Sequence, residues 1–119
     1  MTTDEITRCI AACYACATAC DRCAAACLGE EAHLAHLTRC IALDADCATL
    51  CRTAAALMAR SSELTGEICE ACAAACLACG AECEQHDMEH CRQCAQACRR
   101  AAELCQAMSQ DVHAAAPSS

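Results

Sequence analysis

Between Cys9 and Cys27 the chain reads CIAACYACATACDRCAAAC, in which six cysteines follow one another at gaps of four, three, four, three and four residues. Most residues between them are alanine, the strongest helix former. An alternating spacing of three and four is typical of the inward face of a helix in a bundle. The segment therefore predicts a long helix whose core face carries thiols where leucine or isoleucine normally stand.

Turn and cap residues divide the chain into four predicted helices. The first begins at a capping-box pattern of Thr2 with Glu5 and ends at Gly29. The others are expected at about residues 30–60, 62–85 and 88–108. Because the connections are short and the helices long, the predicted fold class is all-α, an antiparallel four-helix bundle with a cysteine-lined core.

Polar residues in the connectors are the expected N-caps, namely Ser61 or Ser62 for the third helix and Asp87 for the fourth. The helical pattern fades towards the C-terminus, where DVHAAAPSS is expected to fray. We therefore predict a single bundle domain over residues 1–110 and a flexible tail over residues 111–119.

All 18 cysteines of the chain fall on the inward faces of these helices. Cysteine and alanine are too small to fill a four-helix interior at normal protein density, so something else should occupy it. Residues three or four apart on a helix have Cβ atoms about 5–6 Å apart, so thiolates from successive turns can hold one ion between them. The candidate metal ligands are Cys9, Cys13, Cys16, Cys20, Cys23, Cys27, Cys40, Cys47, Cys51, Cys69, Cys72, Cys76, Cys79, Cys83, Cys91, Cys94, Cys98 and Cys105.

The ligand type favours Cu(I), a soft ion that selects thiolates. Zinc prefers four ligands in a tetrahedron, which zinc ribbons supply from turns and not from a continuous helical stripe. One monovalent ion per thiolate would also leave the interior nearly neutral. The sequence thus predicts a store for many Cu(I) ions per chain. A zinc- or cadmium-sequestering protein of the metallothionein type is the first alternative.

Three segments, CYACATACDRC, CEACAAACLACGAEC and HDMEHCRQCAQAC, resemble the bacterial copper storage proteins, and the resemblance extends from Cys9 to Cys105. It implies a four-helix bundle that assembles as a homotetramer and keeps Cu(I) bound, mainly by cysteine, and available. The acidic start, Met-Thr-Thr-Asp-Glu, has no signal-peptide pattern and is similar to the cytosolic branch, so we expect a cytoplasmic protein. The sequence marks no docking surface for a copper donor or acceptor.

The two ends of the predicted bundle differ. Antiparallel helices bring the start of the second helix and the turn before the fourth to the same end, which we call the histidine end. We expect copper to enter there. The candidate residues for uptake are His33, His36, His86, Met88 and His90. The opposite end, which we call the methionine end, is expected to be closed by Ile6, Met58 and Met108.

Two sets of side chains do not fit the cysteine pattern. Asp44 lies on a cysteine face and is expected to turn outward or to accept a hydrogen bond from an arginine. Apolar residues outside the cysteine faces could be lone surface residues or contacts between bundles, and the tetramer that the resemblance implies favours contacts. These residues are Leu28, Leu34, Ile41 and Leu77.

Charge and hydropathy argue against several partners. The net charge is −8, and the eight basic residues are all arginines without a cluster. Nucleic acids and anionic membrane surfaces both require clustered positive charge, so neither is an expected partner. No apolar run is long enough for a transmembrane helix.

Enzymatic and redox functions have weaker support. A di-metal oxidase bundle uses Glu-x-x-His motifs at mid-bundle. The chain matches this motif once, at Glu30 and His33, where a helix starts. We therefore predict that the protein is not an enzyme. A thiol redox switch is the second alternative, although the CxxC motifs lie within helices and lack the strand-to-helix context of thioredoxin-like sites.

Overall fold

The computed structural model describes the backbone of residues 1–115 and the side chains of residues 1–112. Four long helices make up most of this part, and the predicted all-α fold class is confirmed. They are α1 (Thr3–Leu28), α2 (Leu34–Ala59), α3 (Thr65–Cys83) and α4 (Glu89–Ala115), with a short 3-10 helix (Glu31–His33) before α2.

The helices pack as an antiparallel bundle. Each contacts two neighbours, so that α1 lies against α2 and α4, and α3 lies against α4 and α2. The Cα atoms fill a rod of 55 × 24 × 18 Å. Gly80 allows a close approach between α3 and α4, because a Cβ atom added there would lie 3.3 Å from the Cβ atom of Cys98. The interior between the four helices runs along the long axis of this rod.

The start of α1 agrees with the predicted capping box. The Glu5 backbone N–H donates to Thr2 Oγ1 at 3.1 Å, and the Thr2 N–H donates to Glu5 Oε1 at 3.1 Å. Acidic side chains in this first turn also interact favourably with the helix dipole. Gly29 takes the C-cap position as predicted, and its N–H donates to the Ala26 carbonyl at 3.1 Å.

The predicted serine caps are wrong. Helix α3 begins at Thr65 with Leu64 in the N-cap position. Ser62 lies earlier, where its Oγ accepts a hydrogen bond from the Leu64 N–H at 3.1 Å and so stabilises the turn. Ser61 takes a positive φ of 54° as the chain reverses after α2.

The boundaries of α4 also differ from the prediction. The N–H groups of Cys91 and Arg92 donate to the Met88 carbonyl, so Met88 occupies the cap position expected for Asp87. The helix continues past Met108 to Ala115, since Val112 still packs against the core. The flexibility expected of the tail stays a prediction, and residues 116–119 lie outside the described part.

The interior of the bundle is lined with sulfur, as the sequence predicts. All 18 cysteine side chains have 0% exposed surface. Alanines beside them, among them Ala17, Ala48, Ala73 and Ala95, are also buried. The thiols face one another across the axis, as for Cys16 and Cys98, whose Sγ atoms are 3.7 Å apart.

The surface carries isolated apolar side chains. Leu28 and Leu77 are exposed by half or more, Leu34 is exposed, and Ile41 is partly buried against the core. Their expected role in contacts between bundles stays a prediction. Among the described residues, no helix combines the length and apolar character that crossing a membrane requires.

Candidate metal centre

The thiols form a continuous column along the axis of the bundle. Within one helix, the Sγ atoms of Cys16 and Cys20 are 4.0 Å apart. Between helices the Sγ–Sγ separations range from 3.4 Å, for Cys13 with Cys105, to 4.0 Å, for Cys20 with Cys79. Since every cysteine is a free thiol, each one can become a metal ligand.

Neighbouring groups of thiols share members. Cys16 and Cys47 belong to one group with Cys20 and Cys98, and to a second group with Cys51 and Cys76. Within each group all Sγ atoms lie within 4.8 Å of one another. A shared thiolate can bridge two ions, so this arrangement suits a chain of linked soft ions better than separate four-ligand sites.

Burial and mutual hydrogen bonding determine how the thiols hold their protons. Burial raises the pKa of Cys91 to about 12, because a thiolate there is poorly solvated. Hydrogen bonding with Cys105 lowers the pKa of Cys9, because it stabilises the thiolate form. The column therefore titrates as an interacting set, and metal binding has to displace its protons.

Asp44 is completely buried inside the column. Its Oδ1 accepts hydrogen bonds from Cys79 Sγ at 3.1 Å and Cys94 Sγ at 3.3 Å. The expectation that it turns outward or pairs with an arginine is wrong, since the helices enclose the position and thiols supply the donors. Burial raises its pKa to about 10, so the carboxyl group is protonated at neutral pH. With Cys23 and Cys83 it also belongs to a group that could hold a metal ion.

Most of the predicted uptake residues surround one surface pocket at the histidine end. His86 and Met88 are half-buried, whereas His36 is exposed. His33 is also exposed, because the turn that carries it is a 3-10 helix and does not continue the cysteine face of α2. The pocket is lined by Glu30, His33, His36, Leu37, Gln85, His86, Asp87 and Met88.

His90 lies apart from the other histidines, in a groove that Tyr14 and Arg22 also line. Its Nε2 is 3.4 Å from Cys27 Sγ. With Cys23, Cys27 and Cys91 it forms a group whose ligand atoms lie within 4.8 Å of one another. His90 is thus the described histidine that reaches the sulfur column directly.

The methionine end is closed, as predicted. Met58 and Met108 are 4% and 3% exposed and pack over the last thiols. Ile6 and Val112 line a surface depression there, together with the two methionines and with Ser61, Ser62 and Thr65. This end therefore covers the column with buried apolar side chains, where the other end has imidazoles.

A sequence model of a family described as copper storage protein, Csp, matches residues 2–110 of the chain. The chain belongs to the copper storage protein family. None of the curated proteins matches it. The eighteen candidate thiols form the sulfur column, whereas the candidate uptake residues are divided between the pocket at the histidine end and the groove that contains His90.

Solved structures of other copper storage proteins resemble the chain over most of their length. Cu(I)-bound BsCsp3 is 45% identical, with a TM-score of 0.83, and the match covers 88% of this chain and 98% of that one. Apo-Csp3 from Bacillus subtilis is 44% identical, with a TM-score of 0.79, and the match covers 85% of this chain and 95% of that one. A cytosolic copper storage protein from Streptomyces lividans with five coppers is 43% identical, with a TM-score of 0.86, and the match covers 90% of this chain and 93% of that one.

Glu82 is a residue of the histidine end that the sequence reasoning missed. It is 8% exposed, and its carboxylate contacts both Arg39 and His86. The signal was its spacing of four residues before His86, which places both side chains on the same face of a helical turn.

Proposed function

We propose that the chain stores Cu(I), with many ions bound along the sulfur column. The observation that supports this most strongly is the set of 18 buried free thiols whose groups share members. Known relatives carry the same cargo, since BsCsp3 is Cu(I)-bound and the Streptomyces lividans protein is loaded with 10 copper equivalents. Copper is the stored substance here, and the bundle is its container.

The same features favour storage over catalysis. Every thiol is enclosed, so a bound ion has no room beside it for a substrate. We infer a container in the cytoplasm, as for the cytosolic Streptomyces lividans relative. The exposed Leu28 and Leu77 support assembly into a homotetramer.

We also propose that copper enters at the histidine end. His90 contacts Cys27 directly. His86 lines the pocket between the start of α2 and the turn that follows α3. Imidazole and the Met88 thioether can hold Cu(I) for a short time before thiolates bind it more strongly. His33 and His36, being exposed, would make the first contacts with the incoming ion.

Native mass spectrometry of the fully reduced chain tests the storage proposal. Cu(I) is added in steps under anaerobic conditions, and Zn(II) is added to a second sample. We expect a distribution that moves to about one Cu(I) per thiol, and far fewer zinc ions. Equal numbers of the two metals would favour a general thiolate sequestering protein instead.

A further inference from the structure

A buried carboxylate links three segments of the histidine end. Glu82 Oε2 accepts a hydrogen bond from His86 Nε2 at 2.8 Å, and Glu82 Oε1 accepts one from Arg39 Nε at 3.1 Å. The Glu82 and His86 side chains are 9% and 14% exposed, whereas Arg39 is 68% exposed. The last turn of α3, the turn before α4 and the side of α2 are thereby held together.

The contact determines which nitrogen of His86 is free. An ionised carboxylate can only accept hydrogen bonds, so Nε2 must carry the proton. In the neutral ring the lone pair then lies on Nδ1, which is the atom available to a metal ion. A carboxylate in this position commonly orients a metal-binding histidine and makes it a better ligand.

His86 lies just beyond the end of α3, three residues after Cys83. Its backbone N–H donates to the Cys83 carbonyl at 3.1 Å, and Cys83 Sγ is 3.5 Å from Cys40 Sγ. His90, on the α1–α4 side, instead directs Nε2 towards Cys27 at 3.4 Å. The two histidines therefore lie near different thiols of the column.

We propose that Glu82 is a positioning residue for copper uptake. It fixes the His86 ring with Nδ1 free to take Cu(I), and Arg39 holds the carboxylate in place from the protein surface. This inference rests on the proposed entrance at the histidine end. It adds a specific path, which leads from His86 to Cys83 and Cys40.

The hydrogen bond itself is tested by ¹⁵N NMR of the His86 ring in the apo protein. We expect the Nε2–H tautomer in the wild type and a mixture in Glu82→Gln, since a glutamine side chain can either accept from or donate to Nε2. Glu84→Gln is the matched control, because Glu84 lies two residues away, is half-exposed and pairs with Arg99. An unchanged His86 spectrum in Glu82→Gln would overturn the inference.

Stopped-flow Cu(I) loading tests the role in uptake. Glu82→Gln should slow loading severalfold, by less than the loss of the histidines themselves, because His86 loses its carboxylate partner but keeps its ring, and the final copper number should stay unchanged. In the His86→Ala background Glu82→Gln should have no further effect. Additive slowing in that background would show that Glu82 acts by another route and would overturn the inference.

The single variants separate this inference from the proposed entrance. If His86→Ala slows loading but Glu82→Gln does not, copper passes His86 and Glu82 has no positioning role. If the His86→Ala variant loads copper at the wild-type rate, copper does not pass His86. The proposed path is then wrong even if the NMR spectrum of the wild type shows the Nε2–H tautomer.

Discussion

The two ends of the bundle close the same sulfur column in opposite ways. At the histidine end, half-buried imidazoles of His86 and His90 stand between the solvent and the first thiols. At the methionine end, Met58 and Met108 are almost fully buried and belong to the apolar core, against which Ile6 and Val112 also pack. Four similar helices thus give a container with imidazoles at one end and buried methionines at the other.

If copper enters at the histidine end, as proposed, this difference explains how a closed store can still be filled. An ion that leaves water needs replacement ligands at each step, and imidazole, thioether and thiolate follow one another at the histidine end. The methionine end keeps water away from the deepest thiols and contributes packing to the folded apo protein. In the proposed function, uptake takes place at the histidine end and packing stability comes from the methionine end.

The largest expected effect is on the pH dependence of stability, and it comes from Asp44. This carboxyl group lies within the column, in the half nearer the histidine end. Burial raises the pKa of Asp44 from 3.8 to about 10, so the folded chain holds a proton that the unfolded chain has lost. The free energy of unfolding of the reduced apo protein should therefore fall as the pH rises from 5 to 8, by at most about 1.4 kcal/mol per pH unit.

Chemical denaturation of Asp44→Asn measures this effect. The variant is neutral at every pH, so this part of the pH dependence should disappear, and the variant should be more stable than the wild type at pH 8. Asp46→Asn, at an exposed position two residues along α2, is the matched control and should keep the wild-type profile. A pH profile of Asp44→Asn equal to that of the wild type would contradict the burial of a protonated carboxyl group.

The next effect tests the methionine end. Met58→Ala should lower the stability of the apo protein by about 2–3 kcal/mol, because a buried side chain is replaced by a cavity. Met58→Leu keeps the volume and should cost less than about 1.5 kcal/mol. Both variants should load copper at the wild-type rate. Faster loading of Met58→Ala would mean that the methionine end can also admit copper, and the contrast between the ends would fail.

The smallest effect in free energy tests the histidine end. Replacement of His33, His86 and His90 by alanine together should slow Cu(I) loading about tenfold, equal to about 1.4 kcal/mol in activation free energy. The final copper number should stay nearly unchanged, because the thiols remain. Stopped-flow absorbance of the copper–thiolate bands gives both quantities, and a wild-type loading rate would place the entrance elsewhere.

The sequence predicted those features that depend on local spacing. Alternating gaps of three and four placed every cysteine correctly in the interior, and the capping box of Thr2 located the start of α1. The apolar closure by Met58 and Met108 followed from the antiparallel arrangement of the helices. Each of these features is set by helix geometry and a few neighbouring residues.

The features that the sequence did not predict depend on partners distant in the chain. Asp44 stays inside because Cys79 and Cys94, on other helices, donate hydrogen bonds to it. His33 is exposed because its turn is a 3-10 helix, whose side chains do not follow the α-helical face. The role of Glu82 depends on Arg39 from α2, a contact across 43 positions that no local pattern contains.

The most direct test of the account is an anaerobic titration of the reduced apo protein with Cu(I) in competition with a chromophoric chelator, with released protons counted in parallel. We predict tight binding of about one Cu(I) for each of the 18 cysteines, and proton release that rises with it until the column is full. Saturation after only a few ions, with most thiols still titratable, would contradict the claim that the interior of this bundle is a copper store.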